Sequence, residues 1–177
     1  MFEGEYLNEK KNGKGKQYNF STKFMFEGEY LNGKGKEYYD NGKLMYKGEY
    51  LNGKGKEYYD NGKLMYEGEY LNGKRNRIGK EYYDNGNLMF AGEYLKGKIW
   101  NGKGYHIYGN AEFGIKNGNG KVKEYNDFGE LIFEGEYLNG KKWKGKGKEY
   151  YSYHALIFEE EIINKIINEI INGKEIE

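Results

Sequence analysis

The segment LMYKGEYL, residues 44–51, alternates along its length. Leu44, Tyr46, Gly48 and Tyr50 fall on one parity; Met45, Lys47, Glu49 and Leu51 fall on the other. A period of two predicts a β-strand with one face aromatic around glycine and the other charged. The following KGKEYYD, residues 54–60, alternates in the same way. Asn52-Gly53 separates the two runs and Asn61-Gly62 follows the second. Asn-Gly between such runs predicts a two-residue type I′ turn, because both central residues need positive φ. The predicted elements are therefore a strand over Leu44–Leu51, a strand over Lys54–Asp60, and tight turns on either side. Proline is absent, so every strand keeps its ladder donors.

This pair of strands recurs. Gly-Glu-Tyr begins at Gly4, Gly28, Gly48, Gly68, Gly92 and Gly135, at intervals of 24, 20, 20, 24 and 43 residues. The last interval holds a degenerate copy, AEFGIKNGNGK at 111–121, where Phe113 falls at the glycine position and Ile115 at the tyrosine position. Seven units result. The longer ones carry four extra residues at the first turn, as in LNEKKNGKGK and LNGKRNRIGK; turns tolerate insertion and strands do not. The fold expected is all-β, an elongated single-layer antiparallel meander of tandem β-hairpins over residues 1–160, each unit contacting its neighbours only.

Two-residue turns also fix a register. Around Asn52-Gly53, Tyr46 faces Tyr59, Gly48 faces Glu57 and Glu49 faces Lys56. Around Asn61-Gly62, Gly55 faces Gly68 and Lys56 faces Glu67. One unit earlier, Lys47 faces Lys36. Residues 33–52 and 53–72 are copies differing only at Lys47 and Glu67, so this register sets a like-charge pair in one and an opposite-charge pair in the other.

Composition narrows the chemistry. A net charge of +1 shows no bias toward nucleic acid, and the absence of cysteine excludes thiolate, disulfide and zinc–sulfur chemistry. A mean hydropathy of −1.08 is low for a thick core, and the 18% aromatic content supplies the apolar surface instead. The start, MFEGEYLNEK, is charged where a leader needs an apolar run, and no apolar stretch is long enough to span a bilayer. The expectation is a cytoplasmic protein without a transmembrane segment. His106 and His154 stand in no metal or triad spacing, and the Asp-Asn-Gly turns lack the alternating oxygens of a calcium loop. Neither an enzyme nor a cofactor site is expected.

YEGEYLNGK (66–74) and FEGEYLNGK (26–34 and 133–141), followed by Gly-Lys-Glu-Tyr segments, resemble the MORN (membrane occupation and recognition nexus) repeat over roughly residues 1–160. The YYDNGKL stretches are similar to the variant found in antitoxin-like proteins. The resemblance implies a scaffold or dimerisation module, with lipid-headgroup binding or an antitoxin-like role as alternatives. Glu9 and Arg77 stand where the repeat usually has glycine.

Candidate binding residues follow from the two faces. Tyr30, Tyr50, Tyr70, Tyr94 and Tyr137 form one row, with Tyr39, Tyr59 and Tyr83 beside it. Tyrosine offers contact area and a hydroxyl, which suits docking of a protein, a second copy included, as well as packing of the rings on one another. Lys34, Lys54, Lys74, Lys103, Lys121 and Lys146 recur once per unit beside glycine, an arrangement that suits anionic phospholipid headgroups as the alternative ligand. After residue 160, EIINKIINEIING places isoleucines at helical spacing, so residues 161–177 are expected to form a short amphipathic α-helix capping the last strand, with Gly173 as its stop and a continued strand as the alternative, since isoleucine and asparagine are mediocre helix formers.

Overall fold

The computed structural model describes residues 1–8, 10–19, 24–29, 34–49, 51–150 and 156–163. These form fifteen β-strands and no helix. The chain divides into two compact units, Met1–Gly97 and Lys98–Glu177. The first contains β1 (Phe2–Leu7), β2 (Lys10–Tyr18), β3 (Phe24–Glu29), β4 (Lys34–Tyr38), β5 (Leu44–Glu49), β6 (Asn52–Tyr58), β7 (Leu64–Leu71), β8 (Lys74–Tyr82) and β9 (Leu88–Leu95). Each strand pairs antiparallel with the next, which is the meander the alternation predicts. The second unit contains the hairpin β10 (Lys98–Tyr105) and β11 (Ala111–Ile115), then a four-stranded meander of β12 (Gly120–Tyr125), β13 (Leu131–Leu138), β14 (Lys141–Tyr150) and β15 (Leu156–Ile163).

One register feature organises the first unit. Gly4, Gly15, Gly28, Gly35, Gly48, Gly55, Gly68, Gly79 and Gly92 face one another in a continuous row across nine strands. The row beside it reads Phe2, Gln17, Phe26, Glu37, Tyr46, Glu57, Tyr66, Glu81, Phe90, with an aromatic ring on every second strand. The rings lie down over the bare glycine backbone: a Cβ on Gly55 would overlap the Tyr46 ring, and one on Gly79 would overlap the Tyr66 ring. A single sheet thereby acquires a core without a second layer.

This packing corrects the expected register at the first turn. Gly48 pairs with Gly55, and Tyr46 with Glu57, two residues away from the Asn52-Gly53 prediction. A glycine must oppose a glycine for Tyr46 to cover both. The 20-residue unit is too short to do this and also keep a turn at Asn52-Gly53, so Asn52 and Gly53 instead pair with Leu71 and Tyr70. The longer units have room. There Asn72-Gly73 and Asn139-Gly140 adopt positive φ at both residues, the type I′ geometry, and a bulge absorbs the surplus.

The second turn is corrected too. In Asp60-Asn61-Gly62 only the glycine has positive φ, at +87°. Tyr59 N–H bonds the Lys63 carbonyl and Gly62 N–H the Tyr59 carbonyl, closing a three-residue loop in place of the two-residue turn. The Asn61 side chain accepts the Lys63 N–H at 2.9 Å. The preference for asparagine here is thus side-chain capping of the turn rather than left-handed backbone.

At the C-terminal end, β15 runs to Ile163, three residues past the expected boundary at 160. Its β-branched isoleucines suit a strand. The expected helix otherwise falls outside the described residues.

Candidate functional site

Five buried aromatic side chains of the first unit touch edge to face in one chain. Tyr46 meets Tyr70 at 5.5 Å between centroids, Tyr70 meets Tyr66 at 5.6 Å, Tyr66 meets Tyr94 at 5.3 Å, and Tyr94 meets Phe90 at 5.5 Å. Interplanar angles of 83–87° place ring edges against ring faces throughout, the arrangement the ring quadrupole favours. Tyr70 and Tyr94 are each only 3% exposed.

A charged network covers this stack, and its central residue belongs to the inserted turn of the longer unit. Arg75 sits 4.1 Å above the Tyr66 ring. It pairs with Glu57 at 2.7 Å and also with Glu81. The two glutamates flank Tyr66 in the register, so one guanidinium spans three strands. Tyr70 donates its hydroxyl to Glu57, and Tyr94 donates to Glu81 at 3.0 Å.

These contacts set the protonation. Burial pushes the Glu57 carboxyl up, but its hydrogen bonds and charge pairing with Arg75, together with the Tyr70 hydroxyl, hold it below its ordinary value. Burial also works against the charge on Arg75, yet Glu57 and Glu81 keep it protonated. Glu37, one repeat earlier between Phe26 and Tyr46, is pushed up by burial.

The second unit repeats the device with lysine. Lys142 lies 4.6 Å over the Phe133 ring and 3.1 Å from Glu124, which also accepts the Tyr137 hydroxyl. Arg75 opposes Tyr70 and Lys142 opposes Tyr137, each five residues after its tyrosine. In the first repeat Lys11 opposes Tyr6 at the same register position. The inserted turns therefore deliver a cation opposite the tyrosine. Sequence reading missed this network, although a basic residue five positions after Gly-Glu-Tyr, found only in units with an insertion, was the available signal.

Of the eight tyrosines expected to bind, Tyr70, Tyr83 and Tyr94 are buried, Tyr39, Tyr59 and Tyr137 are half-buried, and Tyr30 and Tyr50 lie outside the described residues. Tyr39 and Tyr59 follow their strands and reach the next repeat, donating to the carbonyls of Tyr58 and Tyr82 at 2.6 Å. The structure thus brings Tyr70 and Tyr94 together in the stack and places Tyr39 and Tyr59 at the turns.

The six lysines are exposed. Lys34, Lys54, Lys121 and Lys146 face Glu49, Glu69, Glu136 and Glu134 in the ladder, with Lys34 and Glu49 paired at 3.4 Å. Lys74 opposes Leu71, and Lys103 opposes Gly114. His106 accepts the Tyr108 N–H at 3.3 Å and sets its ring edge-on to Tyr125; His154 lies outside the described residues. Among the described residues no His, Cys, Asp and Glu cluster suits a metal, and no helix is long and apolar enough to cross a membrane.

Tandem hairpins aligned on a glycine row, with aromatic residues lying over it, define a tandem β-hairpin repeat protein. The family model for the MORN repeat variant matches it four times, over residues 31–52, 51–72, 78–96 and 118–139. The chain is a MORN repeat protein, built from a non-enzymatic type of repeat. No curated protein matches the chain.

Proposed function

We propose that the chain is a scaffold that docks a protein partner across its ring-bearing face. The observation that carries this reading is the preorganised cover of the ring stack. Glu57, Arg75 and Glu81 are fixed by one another and by the tyrosine hydroxyls, yet their side chains remain 20–23% exposed. Half-buried Tyr59 adds apolar contact area. Groups already immobilised lose little entropy when a partner arrives, and arginine and tyrosine are favoured anchors at interfaces. The buried rings serve as the rigid base rather than as contacts.

Self-association by analytical ultracentrifugation and partner retention by affinity capture test the reading, using Tyr59→Ala and Arg75→Lys proteins with unchanged circular dichroism. The expected result is weakened association in both. Unchanged association in folded variants would overturn it.

A second reading, attachment to an anionic membrane surface, is favoured by one observation. Leu7, Leu51, Leu71 and Leu95 occupy the same position in their repeats and are 40–60% exposed. Leucines of that exposure near lysines could enter a headgroup layer while the ammonium groups meet phosphate. Co-sedimentation with anionic liposomes tests it: loss of binding on replacing Leu51 and Leu71 with serine is expected, and absence of any salt-sensitive binding removes the reading.

A further inference from the structure

The face opposite the rings carries a charge row across the first unit. In register it reads Glu3, Lys16, Glu27, Lys36, Lys47, Lys56, Glu67, Lys80. Acid and base alternate from Glu3 to Lys80 except at Lys47, which stands where the pattern requires glutamate, and the row ends on β9 at Ala91. Three lysines then face one another on adjacent strands. Glu67, the counterpart of Lys47 in the next copy, is engaged by Lys56 at 3.1 Å and by the Tyr82 hydroxyl at 2.8 Å. Lys47 has no ion pair among the described residues. Like charges directly opposite are unfavourable, so folding gains nothing from lysine here.

The consequence appears in two clefts on this face. A cleft of about 610 Å³ over Gly15, Gly28 and Gly35 is lined by Lys14, Lys16 and Lys34 against Glu3, Glu27 and Glu29, a balanced set. A cleft of about 630 Å³ over Gly48, Gly55, Gly68 and Gly79 is lined by Lys47, Lys54, Lys56 and Lys80 against only Glu67 and Glu69. The two are comparable in size and in floor. They differ in charge, Lys47 being part of that difference, and the second alone adds Tyr58 and Ile78 to its lining.

We propose that this second cleft binds an extended acidic segment of a partner protein. In the cleft's row Lys47, Lys56 and Lys80 span three strand spacings, about 14 Å, which an extended chain bearing carboxylates on alternate residues can follow. The remaining carboxylates on the cleft wall, Glu67 and Glu69, oppose a compact, densely charged phosphate but are avoided by single charges spaced along a backbone. The site lies on the opposite face from the docking surface proposed above and does not depend on it.

Fluorescence anisotropy of a labelled oligoglutamate peptide, at low and at physiological salt, tests the proposal on the full chain. The wild type binds in a salt-sensitive manner. Lys47→Glu makes the cleft resemble its balanced neighbour and weakens binding about tenfold, while raising the melting temperature. Glu67→Lys extends the lysine run and tightens binding while lowering the melting temperature. Should Glu67→Lys fail to fold, Lys47→Glu alone decides, because it is the stabilised variant. Absence of peptide binding by wild type, or equal affinity of wild type and Lys47→Glu, overturns the proposal. Inositol hexakisphosphate or phosphatidylserine vesicles that bind wild type but not Lys47→Glu, with no oligoglutamate binding, overturn it in favour of a phosphate ligand.

Discussion

Arg77 holds a left-handed backbone, φ +54°, at the bulge of the longer repeat where Gly13 holds φ +58° in the first. A side chain in that region costs about 1–2 kcal/mol, partly offset by the lower entropy of the unfolded chain. Its pairing with Glu69 at 3.7 Å is exposed and worth little. Arg77→Gly is therefore expected to stabilise by about 0.5–1 kcal/mol in urea denaturation. Gly55→Ala acts in the opposite direction: the added methyl overlaps the Tyr46 ring, and a loss of about 2–4 kcal/mol is expected. Gly62, at φ +87° with open space around it, loses only about 1 kcal/mol on the same change. Similar losses at Gly55 and Gly62 would contradict the packing of rings over the glycine row. On the other face, Lys47→Glu turns two like-charge neighbours, Lys36 and Lys56, into opposite-charge pairs, a gain of about 1 kcal/mol by the usual worth of cross-strand pairs.

At the level of the element, the inserted turn is the unit of stabilisation. Arg75→Ala leaves Glu57 and Glu81 partly buried without their cation, and a loss of about 2–4 kcal/mol is expected; Arg75→Lys loses less, since Lys142 performs the role in the second unit. The pH dependence separates this from simple loss of packing. Folding lowers the Glu57 pKa from its ordinary 4.5, so its contribution is complete above that value and disappears as acid takes the solution through the lower folded value. Without Arg75 burial is opposed only by the Tyr70 hydroxyl, the smaller influence, so folding raises the pKa, and the contribution is present in acid and lost as pH rises. Stability of Arg75→Ala measured between pH 3 and 7 should therefore fall away less in acid than that of wild type; parallel curves would contradict the network. Glu37 is already in the second condition, raised by burial, and Gln17 fills the equivalent row position in the first repeat. Glu37→Gln is expected to raise the melting temperature at neutral pH.

The strands and the aromatic and charged faces were legible because alternation in LMYKGEYL is a local property. The pairing of Lys47 with Lys36, and of Gly55 with Gly68, was legible because it depends on a turn whose length the Asp-Asn-Gly loop nearly preserves. The pairing of Gly48 with Gly55 was not, because ring packing over glycine overrides the Asn-Gly turn preference at that site. Arg75 could be placed only once Tyr70 was known to oppose it, since an inserted turn carries no alternation from which a register can be read.

At the scale of the first unit, the glycine row gives successive repeats the same backbone path, so the two surfaces can vary independently of the fold. One surface is a fixed polar cover over buried rings, and the other is a charge row broken at Lys47. MORN repeats support a repeat scaffold with protein or membrane interaction in general, and the docking proposed above falls on the ring-bearing face. Site-specific photocrosslinking tests it most directly, with a photoreactive phenylalanine analogue placed at half-buried Tyr59 and, as comparison, at Phe128 on an exposed turn of the second unit. A discrete protein adduct is expected from position 59 and none of that mass from position 128. No adduct from position 59, or the same adducts from both positions, would contradict it.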